Sequence, residues 1–277
     1  MEIGKKMSKK SRKTKNQSTK NADLPVEILG VTIFGTRYNQ VLKKLWLQRK
    51  ELLHVATVNP EYIMEARTNE KFSQVLAKCL TVADGHGVVW ASQILQSQMT
   101  NSQIGSVERI SGTELVHEIL RHADEKQEKV FLLGAAPGIA ERASREMSKK
   151  YPAVQMSWYE GAKTVAVEKN EEASMTIAKI NGFEPDYLLV AYSSPYQDIW
   201  IEDNRPYLRA KVAMGVGGVF DEWAGLIKVC PAWIDRIGMK WLWRVIHEPW
   251  RWKRIVRVWL FGLLVVWHKW VDWLLRE

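Results

Sequence analysis

Asp84 closes the apolar run Leu80-Thr-Val-Ala83 and is followed by Gly85. A carboxylate at the tip of a buried strand is placed to act as a general base. An Asp-Gly pair is also a common turn former, and both readings stand at this point. Gly134-Ala-Ala-Pro137-Gly138 opens a helix directly after a strand, so its amides and the helix dipole suit a phosphate. The spacing falls short of G-x-G-x-x-G, leaving a tight structural turn as the alternative. No acidic residue follows a first strand at ribose-binding distance, which weighs against a nicotinamide-dependent oxidoreductase, the competing class. The chain has neither Asp-x-Asp nor His-Glu-x-x-His, so neither a metal nor any other cofactor is expected. A departing diphosphate would then need guanidinium groups or helix amides to neutralise it. Arg236, Arg244, Arg251 and Arg254 supply the former near the C-terminus. His86, beside Asp84, reads as a supporting or solvent-facing group.

These residues need elements to hold them. Residues 52–60, 79–87, 129–143, 187–201 and 211–225 each combine a short apolar, β-branched run with a Gly, Pro, Asn or Asp turn and a helical stretch. Repetition of that unit predicts an α/β fold with a doubly wound, mostly parallel sheet. In such sheets ligands collect at the carboxyl ends of the strands. Thr57, Asn59, Asp84, Gly134, Gln197 and Gly215 all fall there.

Charge is unevenly spread over the 277 residues: the formal +9 comprises +7 in residues 1–20, +6 in residues 228–277 and −4 in the rest. Nine of the fourteen Trp lie in the last 50 residues. On a wheel of 100° per residue, Arg251, Arg254, Arg257, His268, Lys269, Asp272 and Arg276 fall within about 120°. Trp, Val, Leu, Ile and Phe fill the remainder. This is the composition of a helix lying in a membrane interface. The uninterrupted apolar run, residues 258–267, is ten residues long, against about 20 needed to span a bilayer. An anionic membrane surface is therefore the expected polyanionic partner. Nucleic acid is not expected, because none of its usual binding motifs is present. The leader, residues 1–23, is basic and almost without apolar side chains, and is expected to be disordered. The stretch from Pro25 to Phe34 is broken by Glu27 and Gly30, so no signal peptide is expected and the chain is placed on the cytoplasmic side, peripheral to the membrane. Two cysteines, Cys79 and Cys230, exclude a disulfide framework.

Taken together, several motifs resemble the WecG/TagA/CpsF glycosyltransferases. They are Thr57-Val-Asn59-Pro60, Ala83-Asp84-Gly85-x-Gly87, Glu108-Arg109-Ile-Ser-Gly112-Thr113-Glu-Leu115, Leu133-Gly134-x-x-Pro137-Gly138, Pro195-x-Gln197-Asp198-x-Trp200-Ile201 and Gly215-Val-Gly217-Gly218-x-Phe220-Asp221-x-x-Ala224-Gly225. Pro231, Gly238, Trp241, Arg244, Glu248-Pro249 and Arg251 follow, resembling the family's C-terminal segment. The match covers about residues 28–257.

The resemblance implies an inverting, membrane-associated enzyme that passes a sugar from a UDP-sugar to a polyprenyl-diphosphate-linked acceptor. In its best-studied branch N-acetylmannosamine is added to undecaprenyl-diphospho-N-acetylglucosamine for wall teichoic acid. Relatives using N-acetylmannosaminuronate or glucose, for other envelope polymers, are the alternatives. It further implies Asp84 as base, Thr57, Asn59 and Gln197 lining the pocket, and Arg244, Arg251 and Arg254 on an appendage that completes the site and docks on the membrane. With Arg244 joining Asp84 as catalytic, the remaining candidate substrate contacts are Arg109, Gly134, Pro137, Gly138, Gly215, Gly217, Gly218 and Asp221. The expected organisation is a leader (1–23), an acceptor and base lobe (24–120), a UDP-sugar lobe (121–227) and a helical appendage (228–277); self-association is compatible with it. Two departures fall near the pocket. Where the family usually reads Ala-Pro-Lys-Gln-Glu this chain has Ser194-Pro195-Tyr196-Gln197-Asp198, and Leu-Glu-Trp becomes Met239-Lys240-Trp241.

Overall fold

The computed structural model describes residues 24–48, 50–96, 107–161, 170–249 and 252–275, with only the backbone of Gln96, Asn170, Lys253 and Arg254. The leader lies outside the described residues. The chain opens with a hairpin of β1 (Val26–Ile28) and β2 (Val31–Ile33). Leu29 and Gly30 turn it with φ of 49° and 88°, the twin positive φ that a two-residue hairpin loop demands. Helix α1 (Tyr38–Trp46) leads to β3 (Leu53–Val58). Asn59 then caps α2 (Pro60–Ala66), accepting the Tyr62 N–H at 3.0 Å, with Pro60 in the first turn. Both choices favour a helix start, since Asn satisfies an orphan amide and Pro has none to satisfy. Asn69 caps α3 (Glu70–Leu76) in the same way.

There follow β4 (Leu80–Ala83), α4 (His86–Gln96), α5 (Gly112–Lys126), β5 (Lys129–Gly134), α6 (Ile139–Lys150), β6 (Gln155–Tyr159), α7 (Asn170–Phe183), β7 (Tyr187–Ala191), α8 (Tyr196–Asn204), β8 (Val212–Gly215) and α9 (Val219–Trp223). The C-terminal part comprises α10 (Ala232–Arg236), α11 (Lys240–His247) and α12 (Trp252–Leu274).

Strands β3 to β8 form one six-stranded parallel sheet in the order β4-β3-β8-β7-β5-β6. Apart from the first residues of β3 and β5, strands β3, β4, β5, β7 and β8 are buried along their length, as expected of a parallel sheet covered on both faces. Side-chain alternation divides them between two layers. Val55, Val82, Leu132, Leu189 and Met214 pack with α1, α5, α6 and α9. Ala56, Val58 and Ala83 pack with the hairpin, α2, α3, α4 and α12, and Phe131, Leu133, Leu188, Val190 and Ala213 with α7 and α8. Because β8 pairs with both β3 and β7, residues 24–120 and 121–227 share this sheet, and the boundary between them runs through a continuous strand ladder.

The last helix is gripped by the body rather than held away from it. Phe261 and Val265 are buried among α2 and α4 side chains, and each such burial contributes about 1.5–3 kcal/mol. Arg257 pairs with Glu65 at 3.2 Å, and Lys269 donates to the Ile94 carbonyl at 2.9 Å. Among the described residues no helix is long and apolar enough to cross a membrane.

Candidate active site

The carboxyl edge of β4, β3 and β8 gathers the chemistry. Asp84 continues β4, its N–H bonded to the Val58 carbonyl at 2.8 Å. The Ile110 N–H binds the Ala83 carbonyl at 2.8 Å, which lays the segment before α5 along the same strand end and brings Arg109 and Gly112 beside the carboxylate. The Gly112 amide donates to Asp84. Gly112 has no side chain for a local reason: a Cβ there would stand 3.2 Å from the Thr57 hydroxyl. Thr57 is thereby packed under the start of α5 and is nearly buried.

Burial raises the Asp84 pKa above the ordinary aspartate value; Lys240, the Gly112 amide and Arg109 pull it back in part, while Asp235 reinforces the rise. The net effect is a carboxylate more basic than in water, the direction a general base at neutral pH requires. Two of these charges come from the C-terminal part. Asp235 of α10 pairs with Arg109 at 2.9 Å, and its carbonyl accepts from His86 Nε2 at 3.0 Å. Gly238, with φ of 78°, turns against the His86 ring, where a Cβ would meet it at 3.4 Å. His86 thus holds the α10–α11 turn over Asp84. Of the charges around that carboxylate, Lys240 does the most to pull its pKa back down.

The second half of the site is the loop after β8. Arg244 of α11 brings Nη2 to 3.5 Å from where a Gly218 Cβ would be, with Asp221 Oδ2 3.6 Å from the same point. Glu248 steadies that guanidinium, Oε1 to Nε at 3.3 Å. Gly215 is backed by Gln197, whose side-chain amide a Cβ there would strike, and the Gly217 N–H donates to Gln197 Oε1 at 3.0 Å.

The expected ligand contacts therefore fall into groups. Asp84, Thr57, Arg109, Arg244 and Gly215 to Asp221 converge on one edge. Asn59 Oδ1 is engaged as a helix cap, and Gln197 is 2% exposed with its amide used inside the protein, so these two shape the edge from within. Gly134, Pro137 and Gly138 lie four strand spacings from β4, about 19 Å at the usual separation. Gly134 abuts the Tyr192 ring, and the Gly138 amide is taken by Glu160 Oε1 at 2.7 Å. Arg251 lies outside the described residues, as does the Arg254 side chain. Tyr196 begins α8 and is 46% exposed. Two open clefts, about 280 and 400 Å³, lie by the hairpin turn and beside Trp46 and His122, away from Asp84. Among the described residues no group of three or more His, Cys, Asp or Glu side chains is arranged to hold a metal.

Sequence reasoning missed Lys240 and Asp235, and also His54, Tyr62 and Asp198 behind Gln197. Lys240 was legible as a charge reversal within a motif; Asp198 stood next to a motif glutamine; nothing marked His54 or Tyr62.

A buried carboxylate with a raised pKa and nearby guanidinium groups on the carboxyl edge of a parallel sheet suit transfer of a glycosyl group from a diphosphate, and the chain is a glycosyltransferase. It matches the model described as "Glycosyl transferase WecG/TagA/CpsF family" over residues 26–273, and it belongs to that family. It is similar to the N-acetylglucosaminyldiphosphoundecaprenol N-acetyl-beta-D-mannosaminyltransferase of Bacillus subtilis (strain 168), 30% identical over 83% of this chain and 86% of that protein. The protein of the same name from Staphylococcus aureus (strain MRSA252) is 31% identical over 84% of this chain and 87% of its own length.

Proposed function

We propose that this enzyme transfers N-acetylmannosamine from its UDP derivative to N-acetylglucosaminyl-diphosphoundecaprenol, with inversion, on the inner membrane surface. The observation that carries the reading is the convergence of Asp84, its amide and cationic neighbours, and Arg244 at the Gly215–Gly218 loop, beneath helices that also carry the apolar surface. Asp84 takes the proton of the acceptor hydroxyl as its oxygen attacks the anomeric carbon. The diphosphate leaves on the opposite face, where Arg244 meets the developing charge. The relatives' names support both sugar and lipid acceptor. A panel of UDP-sugars offered with a short-chain polyprenyl-diphospho-N-acetylglucosamine, products read by mass, tests class and donor together. The expected result is one added N-acetylhexosamine and UDP release only when the lipid acceptor is present; transfer from UDP-glucose alone would overturn the donor assignment.

Helix α12 supports the membrane part of the reading. With Phe261, Val265, Arg257 and Lys269 turned to the body, the exposed apolar side chains of α12, Trp252, Trp259, Leu260, Leu263, Trp267, Trp270 and Trp273 among them, span a face of about 140° at 100° per residue. Trp233, Ile237, Trp241 and Ile246 of the α10–α11 region are exposed as well. An apolar face of this extent on a free surface is suited to lipid rather than water. Replacing Trp259 and Trp270 together by Glu is expected to release the protein from anionic liposomes in a flotation assay, and to leave Tm within a few degrees because neither side chain is in the core. Undiminished flotation would contradict the membrane role of this face.

A further inference from the structure

We propose that a buried chain of hydrogen bonds from His54 through Asp198, Tyr62 and Gln197 holds the Gly215–Gly218 loop in place against Arg244, making His54, Asp198 and Tyr62 positioning residues for sugar transfer. The inference rests on the glycosyltransferase reading of that loop.

The chain is continuous. The Gly217 N–H donates to Gln197 Oε1 at 3.0 Å, Gln197 Nε2 donates to the Tyr62 hydroxyl at 2.8 Å, and that hydroxyl donates to Asp198 Oδ2 at 2.8 Å. Asp198 Oδ1 lies 3.3 Å from His54 Nε2. At the far end His54 Nδ1 faces Cys79 Sγ at 3.1 Å and Glu202 Oε2 at 3.4 Å. Its polarity is dictated from the loop. A backbone N–H can only donate, so Gln197 must present its oxygen to Gly217 and its nitrogen to Tyr62; the hydroxyl, accepting there, is left to donate to a carboxylate. Burial pulls the His54 pKa down, but the Cys79 sulfur and the Asp198 and Glu202 carboxylates outweigh it and hold it well above the ordinary imidazole value. His54 is thus a donor to Asp198. Burial and Asp198 push the Tyr62 pKa up, so the phenol keeps the proton it donates.

Gln197, Tyr62, Asp198 and His54 are 2%, 4%, 0% and 1% exposed. Polar groups this deep are costly unless each is satisfied, and an apolar core would fill the volume without that demand. Here the satisfied chain terminates on one amide, that of Gly217, whose φ is 55° and whose neighbour Gly218 meets Arg244. The chain crosses from β3 and α2 to α8 and the β8 loop, so it ties together the two strand ends that carry Thr57 and the glycines.

The test uses Tyr62→Phe in the full-length protein, with Gln197→Met as a second variant that removes the acceptor itself while keeping side-chain length. Deuterium exchange of a peptide covering residues 212–219 is expected to quicken about tenfold in both variants, the scale of one lost amide hydrogen bond, with β5 peptides unchanged. In steady-state transfer, Tyr62→Phe is expected to lower kcat about tenfold in the parent and less than about twofold in an Arg244→Ala background, because contacting elements of one device are not additive. A merely structural defect would lower both backgrounds alike. Unchanged loop exchange overturns the proposal, and so does quickened exchange with undiminished kcat or with equal losses in both backgrounds. If the parent enzyme transfers no sugar from any UDP donor, the glycosyltransferase reading of the loop fails, while the exchange result still decides whether the relay holds it.

Discussion

Asp84→Asn is expected to lower kcat by about 10²–10⁴-fold, the usual contribution of a positioned general base, while the protein becomes more resistant to heat. The two effects come from one environment. Around Asp84 the loss of hydration outweighs the help of Lys240, Gly112 and Arg109, so its folded pKa is raised. A carboxylic acid whose folded pKa lies above its unfolded value contributes stability below the unfolded pKa, and that contribution is lost as pH rises through the folded pKa. At neutral pH the ionised group therefore costs stability, and the neutral amide, still able to accept the Gly112 N–H, relieves that cost. The same shift sets the acid limb of kcat/KM above the ordinary carboxylate range, because activity needs the ionised base. Tm, kcat and the pH profile of wild type and variant check all three points. A variant that kept full activity would remove Asp84 from the reaction.

Arg244→Ala is expected to lower kcat by about 10²–10³-fold, the scale of one lost donor to a developing anion, and also to lower Tm. The stability loss arises at Glu248, which is 5% exposed and loses its contact with the Arg244 guanidinium; weakening the compensation of a buried carboxylate is destabilising. Adding Glu248→Gln to Arg244→Ala is expected to recover much of the Tm and none of the turnover. That separation distinguishes a cation acting on the leaving diphosphate from one that only braces α11. Recovery of turnover together with Tm would mean that Arg244 serves the fold.

Most of the sheet was readable without coordinates because a parallel strand buried on both faces is predominantly apolar, and β3, β4, β5, β7 and β8 read that way despite His54, Thr57 and Thr81. The strands that escaped are of another kind. The β1–β2 hairpin has three residues a side, and β6, at the sheet edge, carries the mixed stretch Gln155–Tyr159, half exposed. Asp84 and Arg244 were legible from residue type, motif order and charge distribution, and the Trp and Arg bias of the last 50 residues announced a surface helix before its docking was known.

Composition, period and motif thus determined the family, the parallel α/β architecture and the two groups expected to move protons and meet charge, since those depend on local burial and on residue chemistry. Long-range pairing decided the rest. Only the insertion of β8 between β3 and β7 brings the Gly217 amide within reach of a side-chain chain that begins at His54. Only the packing of Phe261 and Val265 on α2 and α4 determines that Arg257 and Lys269 grip the body while the tryptophans face outward. A helical wheel fixes which residues share a face, but the direction in which that face points is set by the partner surface that buries it.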